Sequence, residues 1–118
     1  NLSAWNELQK ISVNNMGCSC ISWNPAFDEC PMIVVGCLSQ NQDHGPQHLA
    51  LNQESLLQVY GRKEGGKVFE SMGQFRNGHQ QSVNDVAWAP LAGRSFHMVV
   101  SCSKDKTLIV WKLLTKNI

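Results

Sequence analysis

The chain is short of charge and has no long apolar stretch, and these two shortages exclude a good deal. Charged residues make up 16% of its 118 positions and nearly cancel, leaving a formal net charge of +1. That balance offers no electrostatic footprint for a nucleic-acid backbone, so no direct sequence-specific nucleic-acid binding is expected. No uninterrupted apolar run outgrows a strand such as Met32 to Val35, far below the ~20 residues a membrane-crossing helix needs. Any membrane association is expected to come only through a complex. No basic segment followed by an apolar one opens the chain, so nothing marks a secretory route, and Asn1-Leu2-Ser3 reads as an accidental glycosylation sequon. A phosphate-cradling glycine loop, a pair of carboxylates at working distance and an activated nucleophile are all missing as well. The expectation is therefore a protein that is not an enzyme, with no catalytic residues, cofactor or small-molecule substrate.

Cysteine is present but in an odd number, five, mostly in strand-like apolar contexts. Thiols in a reducing compartment are the simpler reading. A zinc site would need Cys18 and Cys20 with Cys30 or Cys37 plus His44 and His48. Cys18-Ser19-Cys20 on a strand puts both thiols on one face without the knuckle turn that paired zinc ligands use. No metal site is expected.

The chain does contain a repeat. Gly78-His79 is followed by the alternating stretch Ser82 to Pro90, then Met98 to Ser103 ending in Lys104-Asp105, then Thr107 to Trp111. A Gly-His pair, two strands, an Asp turn and a strand ending in Trp within some 30 residues is the pattern of a WD repeat, one blade of a β-propeller. The pattern calls for a structural polar network: the Trp111 indole to the Ser101 hydroxyl, that hydroxyl to His79, and the second ring nitrogen of His79 to Asp105. Ser, His and Asp are also the types of a catalytic triad, but the flanking pattern accounts for all three as staples of one blade.

A second copy lies upstream. Ile21 to Pro25 aligns with Val86 to Pro90, and Met32 to Cys37 with His97 to Cys102, both at an offset of 65, whereas Tyr60 aligns with Trp111 at 51. The difference falls in a polar stretch, Leu38 to Ser55, that reads as a long exposed loop. Repeat one covers about 2–61 with that loop at 38–55, and repeat two about 67–113. Each unit supplies the outer strand of one blade and the inner three of the next. Trp5 to Ile11 reads as the first outer strand, although its spacing also suits a short amphipathic helix. Cys18, Cys20 and Ser22 fall on one strand face and Ile21 and Trp23 on the other. The fold class is all-β: a WD-repeat propeller, here about two four-stranded blades plus a flanking strand, all of one domain. Two blades cannot close a ring of 4 to 8. A start at Asn1 and an end just past Trp111 suggest a piece of a longer chain, expected to aggregate through unpaired edges if isolated.

Particular strings carry more than a fold. Ser19-Cys20-Ile21-Ser22-Trp23-Asn24-Pro25, Pro31-Met32-Ile33 with Val35-Gly36, Gly93-Arg94-Ser95-Phe96-His97, and Asn1-Leu2-Ser3 with Trp5 resemble the middle blades of Seh-type WD-repeat nucleoporins. The resemblance implies a structural scaffold in the outer-ring, Y-shaped complex of the nuclear pore, serving protein and mRNA transport at the nuclear envelope. It implies as partners other outer-ring nucleoporins, one of which inserts a blade into an open six-bladed propeller. The same family serves in a vacuolar or lysosomal membrane-coating complex in nutrient signalling. This chain differs in its cleaner Gly78-His79 and Lys104-Asp105 signature and in its own loop. The sister propeller shared with the COPII vesicle coat is a close alternative, and a peptide-binding WD-repeat adaptor a more distant one.

Overall fold

Alternating β-branched and small residues set off by Pro, Gly and Asn dictate short strands, and the computed structural model contains seven. It describes residues 4–14, 16–39, 56–75 and 78–114; most of the polar stretch, from residue 40 on, lies outside them. The strands are β1 (Cys18–Trp23), β2 (Met32–Cys37), β3 (Leu57–Gly61), β4 (Glu70–Gln74), β5 (Val83–Trp88), β6 (His97–Ser103) and β7 (Leu108–Leu113). They form two antiparallel sheets, β1-β2-β3-β4 and β5-β6-β7. No helix occurs among the described residues, and the chain is all-β, a partial WD-repeat propeller.

The sheets pack face to face, and their seam is the core. Val34, Leu57 and Val59 from the first sheet meet Val83, Val86, Trp88 and Val99 from the second. Burying each large apolar side chain contributes about 1.5–3 kcal/mol relative to leaving it in water. Close approach requires glycine at position 36, where an added Cβ would lie 2.6 Å from Cys20 Sγ and 2.8 Å from Val83 Cγ1. Hydroxyls also cross the seam. Ser19 Oγ donates to the Val83 carbonyl, the Trp88 amide donates to Ser22 Oγ at 3.1 Å, and the Ser39 amide to Ser82 Oγ at 2.7 Å. On the faces turned away from the seam, Ile21 and Trp23 of the first sheet and Leu108 and Val110 of the second are exposed, while Val35, Cys37 and Tyr60 on the same face as Ile21 are buried.

Three expectations need correction. Trp5 to Ile11 is not a strand: residues 4–14 take no regular structure, since a strand needs ladder bonds and none joins this segment to a described strand. The segment is held through a side chain instead, Gln9 exchanging two bonds with the Phe69 backbone at 2.7 and 2.8 Å. Among the described residues there is therefore no flanking strand, and the strands number four in one sheet and three in the other.

Cys18 does not share a face with Cys20. The ladder shifts between Cys18 and Cys20, a bulge, so that Cys18 lies opposite Cys37 on the side of Ile21 and Trp23, while Cys20 turns to the seam.

Finally, the second strands of the two repeats align one residue further along than the sequence comparison gives. Trp23 opposes Ile33 in the first sheet, whereas Trp88 opposes Val99 in the second. Ile33 thus corresponds to Val99, and Val35 to Ser101. The β5–β6 connection is longer by one residue: Asn24 bonds Met32 across the first hairpin, but Ala89 bonds Met98 across the second. A one-residue slip would move every side chain to the other face, so register rather than letter similarity decides the alignment. Tyr60, opposite Ile33, does occupy the place of Trp111, opposite Val99.

Candidate functional site

One polar cluster links three parts of the second blade. His79 precedes β5, Ser101 is central in β6, Asp105 sits in the β6–β7 turn, and Trp111 is on β7. Trp111 Nε1 donates to Ser101 Oγ at 3.0 Å, and Ser101 Oγ lies 2.8 Å from His79 Nε2. His79 Nδ1 lies 3.1 Å from both Asp105 Oδ2 and Thr107 Oγ1. Because the Asp105 carboxylate can only accept, the His79 proton resides on Nδ1, and Nε2 is left to accept from the Ser101 hydroxyl, which in turn accepts from the indole.

Asp105 is the acceptor at the end of this relay. Burial alone pushes its carboxyl up, but bonds from the Thr107 hydroxyl, the Gln80 and Thr107 amides and His79 outweigh it and lower it from 3.8 to about 2. The turn is formed by the same groups: the Asp105 amide donates to Ser103 Oγ, and the Thr107 amide to Asp105 Oδ1, both at 3.0 Å. Chemically the serine is spent. Ser101 is 1% exposed and its oxygen already accepts from the indole, so a substrate carbonyl has no approach to it.

A second relay, which the sequence reading missed, joins the two sheets. Trp88 Nε1 donates to His97 Nδ1 at 3.1 Å, and His97 Nε2 lies 2.9 Å from Glu29 Oε1. Glu29 Oε1 also accepts from Asn24 Nδ2 at 3.0 Å, and Asn24 Oδ1 accepts from the Ala26 amide. With Nδ1 accepting, the His97 proton sits on Nε2 and points at the carboxylate, the tautomer opposite to that of His79. His97 is completely buried, so each of its nitrogens needs such a partner. The signal available in the sequence was a histidine and a tryptophan in otherwise apolar strands, Trp88 and His97, with an acid in the equivalent earlier connection.

The other sequence candidates separate. Arg94 and Phe96 of the Gly93–His97 string lie at the outer end of the second sheet, where Lys112 Nζ stands 4.6 Å from the Phe96 ring centre and Arg94 donates to the Pro90 carbonyl. In the first sheet Val35 takes the place of Ser101 and Tyr60 that of Trp111, and the Tyr60 hydroxyl bonds Gln58. A cleft of about 400 Å³ opens beside Glu29, between the β1–β2 and β3–β4 connections, with Met32 and Met72 at its apolar side and Arg62, Lys63 and Glu64 at its rim. Among the described residues no group of His, Cys, Asp and Glu is arranged to hold a metal ion; His44 and His48 lie outside them.

No family model matches the chain. Individual proteins do. The whole chain is 33% identical over 120 residues to nucleoporin SEH1-A of Xenopus laevis and 32% identical over 120 residues to nucleoporin SEH1 of Homo sapiens. It is 30% identical over 116 residues to the Protein SEC13 homolog of Bos taurus, with 93% of the chain aligned to 33% of that protein. The chain spans 30% of the length of the SEH1 nucleoporins. The resemblance first read from Cys20 to Pro25 and Gly93 to His97 thus runs along the whole chain.

Proposed function

We propose, from a similarity to Seh-type WD-repeat nucleoporins that covers every residue of the chain, that the protein containing it is a scaffold subunit of the nuclear pore. In this reading it resides at the nuclear envelope and works by binding other nucleoporins of the outer ring, one of which completes the propeller by inserting a blade. It performs no catalysis of its own. Rigid strands holding loops in fixed positions suit that role, since recognition is then left to loops and edges. The relay of His79, Ser101, Asp105 and Trp111 acts as an internal staple, an assignment supported by the enclosure of Ser101 and His79. A role in a vacuolar or lysosomal nutrient-signalling coat follows from the same family resemblance.

The second reading, the sister propeller of the vesicle coat, draws on the 30% identity to the Protein SEC13 homolog. Affinity purification of the full-length tagged protein distinguishes the two. Recovery of outer-ring nucleoporins without vesicle-coat subunits supports the first reading. Vesicle-coat subunits in the eluate favour the sister, and recovery of neither set overturns both.

A further inference from the structure

The geometry of the first hairpin points to a modification site: we propose that Cys18 and Cys37 form a reversible cross-strand disulfide on exposure to a small-molecule disulfide.

The two residues are direct partners in the β1–β2 ladder. The Leu38 amide bonds the Gly17 carbonyl at 2.9 Å, one position outside the pair on each strand. That makes Cys18–Cys37 a narrow, non-hydrogen-bonded pair, the kind whose Cα atoms stand about 4.5 Å apart with side chains on one face. The separation falls inside the ~4.4–6.8 Å range that disulfides span. It is the bulge at Ser19 that creates this relation. Without it, Cys18 would share the seam side with Cys20 and face away from Cys37.

The remaining cysteines are placed otherwise. Cys20 points into the seam against Val83, and burial raises its thiol above 9.0, which leaves little reactive thiolate. Cys30 lies in the β1–β2 connection, at the opposite end of the hairpin, and Cys102 belongs to the second sheet.

Exposure sets the order of events, for Cys18 is exposed and Cys37 buried. The Cys18 thiolate attacks one sulfur of the small disulfide, the S–S bond breaks, and the first small thiol departs with a proton. Cys37 then attacks Cys18 Sγ, displacing the second small thiol. Two protein thiols are oxidised by two electrons and one small disulfide is reduced to two thiols, which balances. The product ties β1 to β2 at the open end of their hairpin. In a reducing compartment it is transient and responds to oxidation.

The test uses the full-length protein treated with oxidised glutathione and then dithiothreitol, read by thiol titration and peptide mass mapping. The expected result is loss of two thiols, peptides carrying Cys18 and Cys37 linked with a mass lower by two hydrogens, and full reversal by dithiothreitol. Cys20→Ser, Cys30→Ser and Cys102→Ser retain the link. Cys18→Ser abolishes it, and Cys37→Ser accumulates a glutathione adduct on Cys18. Because Cys37 is buried, the wild-type map and the Cys18→Ser variant decide the matter if Cys37→Ser fails to fold. A link through any other cysteine, an adduct on wild-type Cys18 that never resolves, or no loss of thiol overturns the proposal.

Discussion

Replacing Ser101 with Ala isolates the hydrogen bonds of the second sheet from its packing. The change removes a single oxygen from a site that is 1% exposed, so the void it leaves is small and the cavity contribution minor. Two partners lose their bond at once, the Trp111 indole and His79 Nε2. A buried polar group left unpaired costs about 1–3 kcal/mol. His79 is enclosed and bears the full cost, whereas Trp111 is half-buried and falls at the low end. The expected loss is about 2–4 kcal/mol, a large share of the roughly 5–15 kcal/mol that holds a domain folded. Equilibrium urea unfolding of the full-length protein, followed by tryptophan fluorescence and by circular dichroism, gives the value. Trp111→Phe alone should cost about 1 kcal/mol by the same accounting. The double variant should then cost less than the sum, because the two share one bond. A Ser101→Ala protein within about 0.5 kcal/mol of wild type, or strict additivity with Trp111→Phe, would refute the staple.

Three further outcomes follow from neighbouring features. The Asp105 carboxyl is lowered from 3.8 to about 2, so its stabilising contribution is complete above the ordinary carboxylate range and is lost as pH falls through about 2; Asp105→Asn should flatten the acid limb of a stability profile, and an unchanged limb contradicts this. Glu29→Ala leaves the His97 Nε2 proton buried without an acceptor, a loss of about 1–3 kcal/mol in the same urea assay, while Glu29→Gln keeps an acceptor and should lose less. Gly36→Ala forces a methyl to within 2.6 Å of Cys20 Sγ and 2.8 Å of Val83 Cγ1, and the resulting overpacking costs about 1–3 kcal/mol; a melting temperature equal to wild type would show that the seam gives way.

Strand order was legible because its causes are local. Alternation in Val83 to Trp88 and the apolar run of Met32 to Cys37 specify strands wherever they fall, and Asn24-Pro25 and Ala89-Pro90 stop them. What sequence could not show depended on partners distant in the chain. Trp5 to Ile11 has apolar residues at suitable positions, but a strand exists only beside another strand. The one-residue difference between hairpins was concealed because Met32 to Cys37 and His97 to Cys102 resemble each other best in the wrong register, valine over valine. The Glu29–His97 bond joins residues 68 positions apart, with no spacing rule to announce it. His79, Ser101, Asp105 and Trp111 could be named together because the repeat pattern fixes their separations, whereas Glu29, His97 and Trp88 match no such pattern.

The hydroxyl contacts across the seam have a mechanical consequence. Apolar burial is non-directional, so a joint of valines and leucines alone resists separation more than sliding. Ser19 fastens one end of β1 to Val83, and Ser22 fastens the other to Trp88, at the two ends of β5. Two pins on one line prevent slip along the seam and rotation within it, while the packed apolar faces on either side of that line set the opening angle of the wedge. In any ring assembled from such wedges, angular error accumulates with every joint. A keyed joint of this kind holds adjacent blades in register, so that sliding does not add to the angular error that the apolar faces must contain.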